Sequence, residues 1–138
     1  MRYMRWNESL VTGDEIVDAQ HRELFDLVND LNAATLLDFG DESTTAALNR
    51  ILTYVTTHFA TEEALMLRTD YPNSECHRSI HRDFAAAAQD LVRQQARGEG
   101  MTIGQLAAFM EEWLETHIAE EDLLLIRHVR QFDAARHA

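Results

Sequence analysis

Seven histidines stand in a chain of 138 residues, and five of them fall where a helix would aim them inward. A helical residue turns about 100°, so positions four apart return to nearly the same face. His58 and Glu62 have that spacing, and Ile51, Val55 and Met66 share their stripe, so both polar side chains point into a core. His77 and His81 repeat it, flanked by Ile80, Phe84 and Ala88. His117 is in line with Leu106, Met110 and Trp113, and His21 shares a face with Val17, Leu24, Phe25 and Val28. One histidine on an apolar face is usually a satisfied core residue. Five with a carboxylate are different, because burying an unpaired carboxylate costs on the order of several kcal/mol unless a cation neutralises it. The set also exceeds the four ligands of a closed structural zinc site. Imidazole suits Zn, Cu, Fe and Ni, and a carboxylate shared between two groups of imidazoles needs two metals side by side. Mixed ligation favours iron, while spacing alone leaves Mn and Zn open.

The elements that must position these residues are helices. One proline and five glycines interrupt the chain, and the apolar residues follow helical rather than alternating spacing. Residues Met1 to Gly13 have no clear period and read as an extended arm carrying Trp6. A first helix is predicted from Glu15 to Asp38, with Gly40 marking its exit. A second runs to Arg68 with Ser43 or Thr44 as N-cap, and Thr69-Asp70-Tyr71-Pro72-Asn73-Ser74 breaks it. The third spans Glu75 to Arg97 and is closed by Gly98-Glu99-Gly100. Thr102-Ile103-Gly104-Gln105 matches a capping box before a fourth helix reaching about Ile118 or beyond. A short last helix covers Glu121 to Gln131. The expected fold is all-α: an antiparallel up-down-up-down four-helix bundle with an N-terminal extended arm and a short C-terminal helix.

Bulk properties exclude several functions. The net charge is −12 and every one of the twelve basic residues is Arg, so no basic stripe is available for phosphates, and neither nucleic acid nor an anionic membrane is expected as a partner. No apolar run approaches the roughly 18 residues of a membrane span. No signal peptide is apparent, and the single Cys76 permits no intrachain disulfide, which fits the cytoplasm. Without a long apolar outer stripe, a monomer is expected.

The ordered motifs resemble the single-domain bacterial hemerythrins. The likeness begins at Trp6 and continues through Val17-Asp18-Ala19-Gln20-His21 and His58-Phe59-Ala60-Thr61-Glu62-Glu63. It then takes in Tyr71-Pro72, His77, His81 and Phe84, and Trp113-Leu114-Glu115-Thr116-His117-Ile118 with Asp122. It implies one hemerythrin-like domain over residues 1–138 that holds two iron ions joined by an oxo or hydroxo bridge. By this resemblance His77, His81 and His117 hold one iron, His21 and His58 the other, and Glu62 and Asp122 bridge both. Dioxygen would bind reversibly, as hydroperoxide, at the open position of the His21/His58 iron, for storage, delivery or sensing. Asp122 rests on the resemblance alone. It lies five residues after His117, about 140° away on an ideal helix, while Glu121 is better in phase. A π-type turn or an unwinding over residues 119–121 is therefore predicted.

By similarity Leu24, Phe59, Trp113, Leu114 and Ile118 line the oxygen pocket. Where some relatives carry a Tyr three residues after the bridging Asp, this chain has Leu125. Asp18, Gln20 and backbone carbonyls are candidates to orient the imidazoles. His128 and His137 miss the ligand faces and are expected in solvent, and Cys76 reads as a partly buried small residue at a helix start. Five neutral imidazoles and two carboxylates favour oxygen binding over catalysis, since ferritin-like di-iron enzymes use more carboxylates. The alternatives are a peroxidase, oxidase, or iron- or nitric oxide-handling protein on the same site, or a signalling module with an unidentified protein partner. Near the site Glu63, Glu120 and Glu121 supply acidic neighbours.

Overall fold

The computed structural model describes residues 5–37, 41–99 and 102–136, with side chains throughout these except at 34–37, 41–45 and 103. Asp38, Gly40, Gly100 and His137, and the side chains of Ser43 and Thr44, lie outside that description. Four long helices form, α1 (Glu15–Leu37), α2 (Asp41–Arg68), α3 (Ser74–Ala96) and α4 (Ile103–His117), followed by α5 (Leu123–Arg136). No strand occurs among the described residues. α1 packs along α2 and α4, α2 along α3, and α3 against α4. His21 near the start of α1 meets His58 late in α2, and His77 at the start of α3 meets His117 at the end of α4. Neighbouring helices therefore run antiparallel, as an up-down-up-down bundle requires.

Each helix buries the stripe that its sequence spacing marks out. Leu24, Phe25, Val28 and Leu31 on α1 face Leu48, Ile51, Val55 and Phe59 on α2, Phe84 and Ala88 on α3, and Leu106, Met110 and Leu114 on α4, all buried. Burying each Leu-sized chain is worth about 1.5–3 kcal/mol. This core occupies one end and the middle of the bundle. A second cluster of Val17, Met66, Tyr71, Leu125, Ile126 and Val129 closes the other end beneath α5. The polar stripe of histidines and carboxylates lies between the two.

Local signals set the helix ends. Thr102 accepts from Gln105 N while the Gln105 side chain accepts from Thr102 N, completing the predicted capping box. α2 stops in a Schellman turn: Asp70 takes a positive φ of 51°, its N–H reaches the Leu67 carbonyl, and the Tyr71 N–H reaches back to Met66. Tyr71 and Met66 then pack together in the second cluster, so the turn that ends α2 also anchors α5.

Three expectations about the elements are revised. α2 begins at Asp41 rather than at Ser43 or Thr44. The arm is not wholly extended, since Glu8–Leu10 form one 3-10 turn capped by the Asn7 side chain. The last helix is no separate short element: it continues from α4 through a π-helical segment, Ile118–Asp122, and runs on to Arg136. Beyond the expected end, Asp133 pairs with Arg68 of α2 at 2.8 Å and ties those extra turns to the bundle.

The arm is fastened by Asp18. Its carboxylate, buried at the start of α1, accepts from Thr12 N (2.9 Å), Thr12 Oγ1 (2.7 Å) and Gly13 N (3.2 Å). Leu10 is thereby held in the main core, with Trp6 packed against it. Asp18→Ala removes one charged acceptor from three donors, and a loss of about 2–4 kcal/mol in unfolding free energy is expected. Urea denaturation together with amide exchange at Thr12 and Gly13 checks this. Unchanged stability and protection would mean that Leu10 and Trp6 alone hold the arm.

Candidate metal centre

The π-segment is the local event on which the site turns. Leu123 N–H bonds to the Ile118 carbonyl, five residues back, so the turn carries one residue more than an α-helical turn. The widened turn returns Asp122 to the face of His117. Asp122 is fully buried, while Glu121, better in phase on an ideal helix, is partly exposed at the surface.

All seven residues singled out in the sequence come together. Every imidazole presents Nε2 inward. His21 Nε2 is 3.0 Å from His58 Nε2, and His117 Nε2 is 3.2 Å from His77 Nε2 and 3.1 Å from His81 Nε2. Asp122 stands between the two groups: Oδ2 lies 2.9 Å from His21 and 3.6 Å from His58, and Oδ1 lies 3.0 Å from His117 and 3.3 Å from His77. Glu62 Oε1 is 3.2 Å from His81 and 3.4 Å from His58. The donor atoms thus form two overlapping sets, His21, His58, Glu62 and Asp122, and His77, His81, His117, Glu62 and Asp122, each within 4.8 Å across.

The chemistry of these donors fits cations. Both oxygens of Glu62 and Oδ1 of Asp122 are buried without a hydrogen-bond partner, as are Nδ1 of His21, His77, His81 and His117. The carboxylate oxygens converge with the inward Nε2 atoms in a dry core, and that arrangement is costly unless an ion accepts their lone pairs. The imidazole edges of 3.0–3.2 Å also match neighbouring positions of an octahedron, where bonds of about 2.1 Å set ligand atoms about 3.0 Å apart.

Electrostatics divide the groups further. Burial lowers the pKa of His58 below its ordinary value. Burial, reinforced by His117 and His77, takes His81 down to about 2, so both imidazoles are neutral with lone pairs available. Burial and the neighbouring Asp122 push Glu62 well above the usual carboxylate range. Burial acts on Asp122 in the same direction, but His117, His21 and His58 outweigh it and hold this carboxyl well below that range. The two carboxyls differ because Asp122 has an oxygen within hydrogen-bond distance of an imidazole on each side, 2.9 Å from His21 and 3.0 Å from His117, while Glu62 comes no nearer than 3.2 Å to any.

The surroundings rank what sequence left unranked. Gln20 Oε1 accepts from His58 Nδ1 at 2.7 Å, and Gln20 Nε2 donates to Thr61 Oγ1 at 3.0 Å. Asp18 serves the arm instead. Sequence gave no sign of the Thr61 contact, which joins residues 41 apart. His128 is not solvated as expected: it is half-buried, with Nε2 donating to the Thr69 carbonyl at 2.9 Å and its ring 5.1 Å from that of Tyr71. Tyr71 in turn lies edge-on to His77 at 6.4 Å. Cys76 is exposed rather than partly buried. Glu63 Oε2 lies 3.9 Å from His81 Nδ1.

Of the five expected pocket residues, Leu24, Phe59, Leu114 and Ile118 are buried in the main core and Trp113 packs against it. Phe59 stacks on His81 at 3.7 Å and 4°. Trp113 stacks on His117 at 4.4 Å and 13°.

The sequence matches the family model of the hemerythrin HHE cation binding domain over residues 12–129. It is 30% identical to a bacteriohemerythrin of Ralstonia nicotianae across 95% of this chain and 92% of that protein. It is 31% identical to a bacteriohemerythrin of Pseudomonas aeruginosa across 100% of this chain and 85% of that one. The fold superposes on a crystal structure of wild-type hemerythrin with a TM-score of 0.84 at 26% identity, covering 93% of this chain and 98% of the other. With a buried cluster of imidazoles and carboxylates able to bind metal at its centre, the chain belongs to the hemerythrin family.

Proposed function

We propose that the protein reversibly binds dioxygen at a di-iron centre held by His21, His58, Glu62, His77, His81, His117 and Asp122. The observation that carries this reading is the split of Asp122, with one oxygen beside His21 and the other beside His117. A carboxylate so placed suits two ions and is wasted on one. His77, His81 and His117 would hold one ion and His21 and His58 the other, with Glu62 and Asp122 available to both. A pair of iron ions there supplies the two electrons and the open coordination position that reversible oxygen binding needs.

The chain's own residues do the rest. Gln20 accepts the Nδ1 proton of His58, which leaves the Nε2 lone pair pointing at the centre and fixes the ring plane. Phe59 and Trp113 cover the faces of His81 and His117, and with Leu24, Leu114 and Ile118 they exclude water and protons from the oxygen side. Two ligating carboxylates against five neutral imidazoles favour binding over further oxidation chemistry.

The direct test is metal analysis with visible spectroscopy. Two irons per chain are expected, with a charge-transfer band that rises under oxygen and falls under argon over repeated cycles. A single metal per chain, or a band that never reverses, would sink the reading. Sustained turnover of added peroxide, lost in His58→Ala, would make the protein an enzyme instead. Gln20→Leu keeps size but removes the acceptor, so iron should be lost to a chelator about 10–100-fold faster with helix content unchanged. Equal rates would show that His58 is positioned by packing alone.

The metal-free protein should be acid-sensitive. His58 and His81 have pKa values below the ordinary 6.5, so below about pH 6.5 the unfolded chain takes up protons that the fold refuses. Their contribution to stability is complete above that pH and is lost as pH falls from it. Glu62, shifted upward, acts oppositely above its ordinary 4.5, leaving two imidazoles against one carboxyl. Urea midpoints of the iron-free protein should therefore fall from pH 7 to pH 5. A midpoint that rises on acidification contradicts this balance.

A further inference from the structure

The N-terminal arm and α5 enclose a cleft of about 490 Å³ lined by Val11, Thr12, Leu123, Arg127, Arg130, Gln131 and Ala134. This volume falls in the range of small-molecule sites, about 300–1,000 Å³. Residues 123, 127, 130, 131 and 134 recur at three- and four-residue intervals, so they form one stripe of α5. That stripe alternates with Leu125, Ile126 and Val129, which face the second core.

The charge on the stripe runs against the composition of the chain. Acidic residues number 24 against 12 basic ones, and Arg68, Arg93 and Arg97 each pair with a carboxylate. Arg127 and Arg130 have no carboxylate within 4.0 Å among the described residues. Two like charges three positions apart on a helix repel one another, and an anion between them relieves that repulsion. The opposite wall is built to admit the second guanidinium. Gly13 has a φ of 98°, and a Cβ on it would come within 2.6 Å of Arg130 Nη1. The Asp18 carboxylate fixes the same stretch of backbone through Thr12 and Gly13.

We propose that this cleft binds a small organic acid. Its carboxylate is held by the guanidinium forks of Arg127 and Arg130 and the Gln131 amide, and its hydrocarbon part lies on Val11, Leu123 and Ala134. Guanidinium forks match carboxylate geometry, and Val11, 41% exposed, supplies apolar surface that a bare inorganic anion leaves in water. The site is separate from the oxygen centre. Its occupant nevertheless bridges the arm that carries Trp6 to the helix that begins beside Asp122.

Calorimetric titration of the metal-loaded, full-length protein at fixed ionic strength tests this, with hexanoate, acetate and inorganic phosphate as probes. Hexanoate should bind with one saturable site per chain, at least tenfold tighter than acetate. Arg127→Gln and Arg130→Lys should each weaken it at least tenfold, the second because lysine keeps the charge and loses the fork. Arg127 is exposed, so its variant decides the matter if the Arg130 variant is unstable. Absence of saturable heat, unchanged hexanoate affinity in Arg127→Gln, or phosphate binding tighter than hexanoate would overturn the proposal. The oxygen-dependent spectrum is a separate readout, so failure here leaves the oxygen reading standing.

Discussion

Two carboxyl groups with no exposed surface lie among five imidazoles in the middle of a helical bundle, and the rest of the structure answers to that placement. In a low-dielectric interior a pair of neighbouring carboxylates cannot both ionise cheaply without compensating charge. The chain resolves this unequally. Asp122 is held acidic by His117, His21 and His58 around it, while Glu62 is driven upward by its burial and by Asp122 beside it. Cations held there would remove the conflict, because the unpaired carboxylate oxygens and the inward Nε2 atoms would become their ligands. Metal and fold would then be linked, with the same seven side chains tying all four helices and the π-segment together.

Such a centre tolerates little error in helix phase. A helix rotated by one residue moves a side chain through about 100°, enough to take an imidazole out of the cluster. The apolar layers on both sides fix that rotation. Leu24, Phe25 and Val28 flank His21 on one side and Val17 on the other, and Val55 and Phe59 flank His58 with Met66 beyond Glu62. The Schellman turn at Asp70 and the capping box at Thr102 then fix where α2 stops and α4 starts. Asp122 alone could not be supplied by regular helix, and the chain widens one turn to bring it in.

Helical phase is a local property, which is why most of the site could be read before any coordinates. His21, His58, Glu62, His77, His81 and His117 each sit on an apolar stripe of their own helix. Asp122 violates its stripe, so periodicity pointed to Glu121, and only resemblance to a family pattern selected Asp122, which lies in the buried cluster, and forced the expectation of a π-turn. What periodicity could not see is tertiary. His128 belongs to no inward stripe of the bundle, yet it finds the carbonyl left free at the end of α2. Gln20 reaches Thr61 across two helices. α5 docks on a second core to which Val17, Met66 and Tyr71 contribute from distant parts of the chain, and its last turns meet α2 through the Arg68–Asp133 pair.

The two halves of the centre are held by different forces. On the three-imidazole side, Phe59 stacks on His81 and Trp113 on His117, with Phe84 3.8 Å behind Trp113. Stacking restrains the tilt of a ring but leaves it free to slide within its own plane; Nδ1 of His117 has no hydrogen-bond partner, and that of His81 has only Glu63 Oε2 at 3.9 Å. On the two-imidazole side, His58 is tethered by a hydrogen bond from Nδ1 to Gln20, which sets direction as well as plane. His21 has a tilted contact with Trp6 at 6.2 Å, so its packing depends on the arm and hence on Asp18. On the proposed reading two imidazoles would hold one ion where three hold the other, and a hydrogen bond to Nδ1 fixes the direction of a ligating ring. On the side with fewer imidazoles His58 has that tether, while Nδ1 of His21 has no hydrogen-bond partner. On the proposed reading that is the side where oxygen binds and leaves, and where a ligand set that shifted on each cycle would let the metal escape.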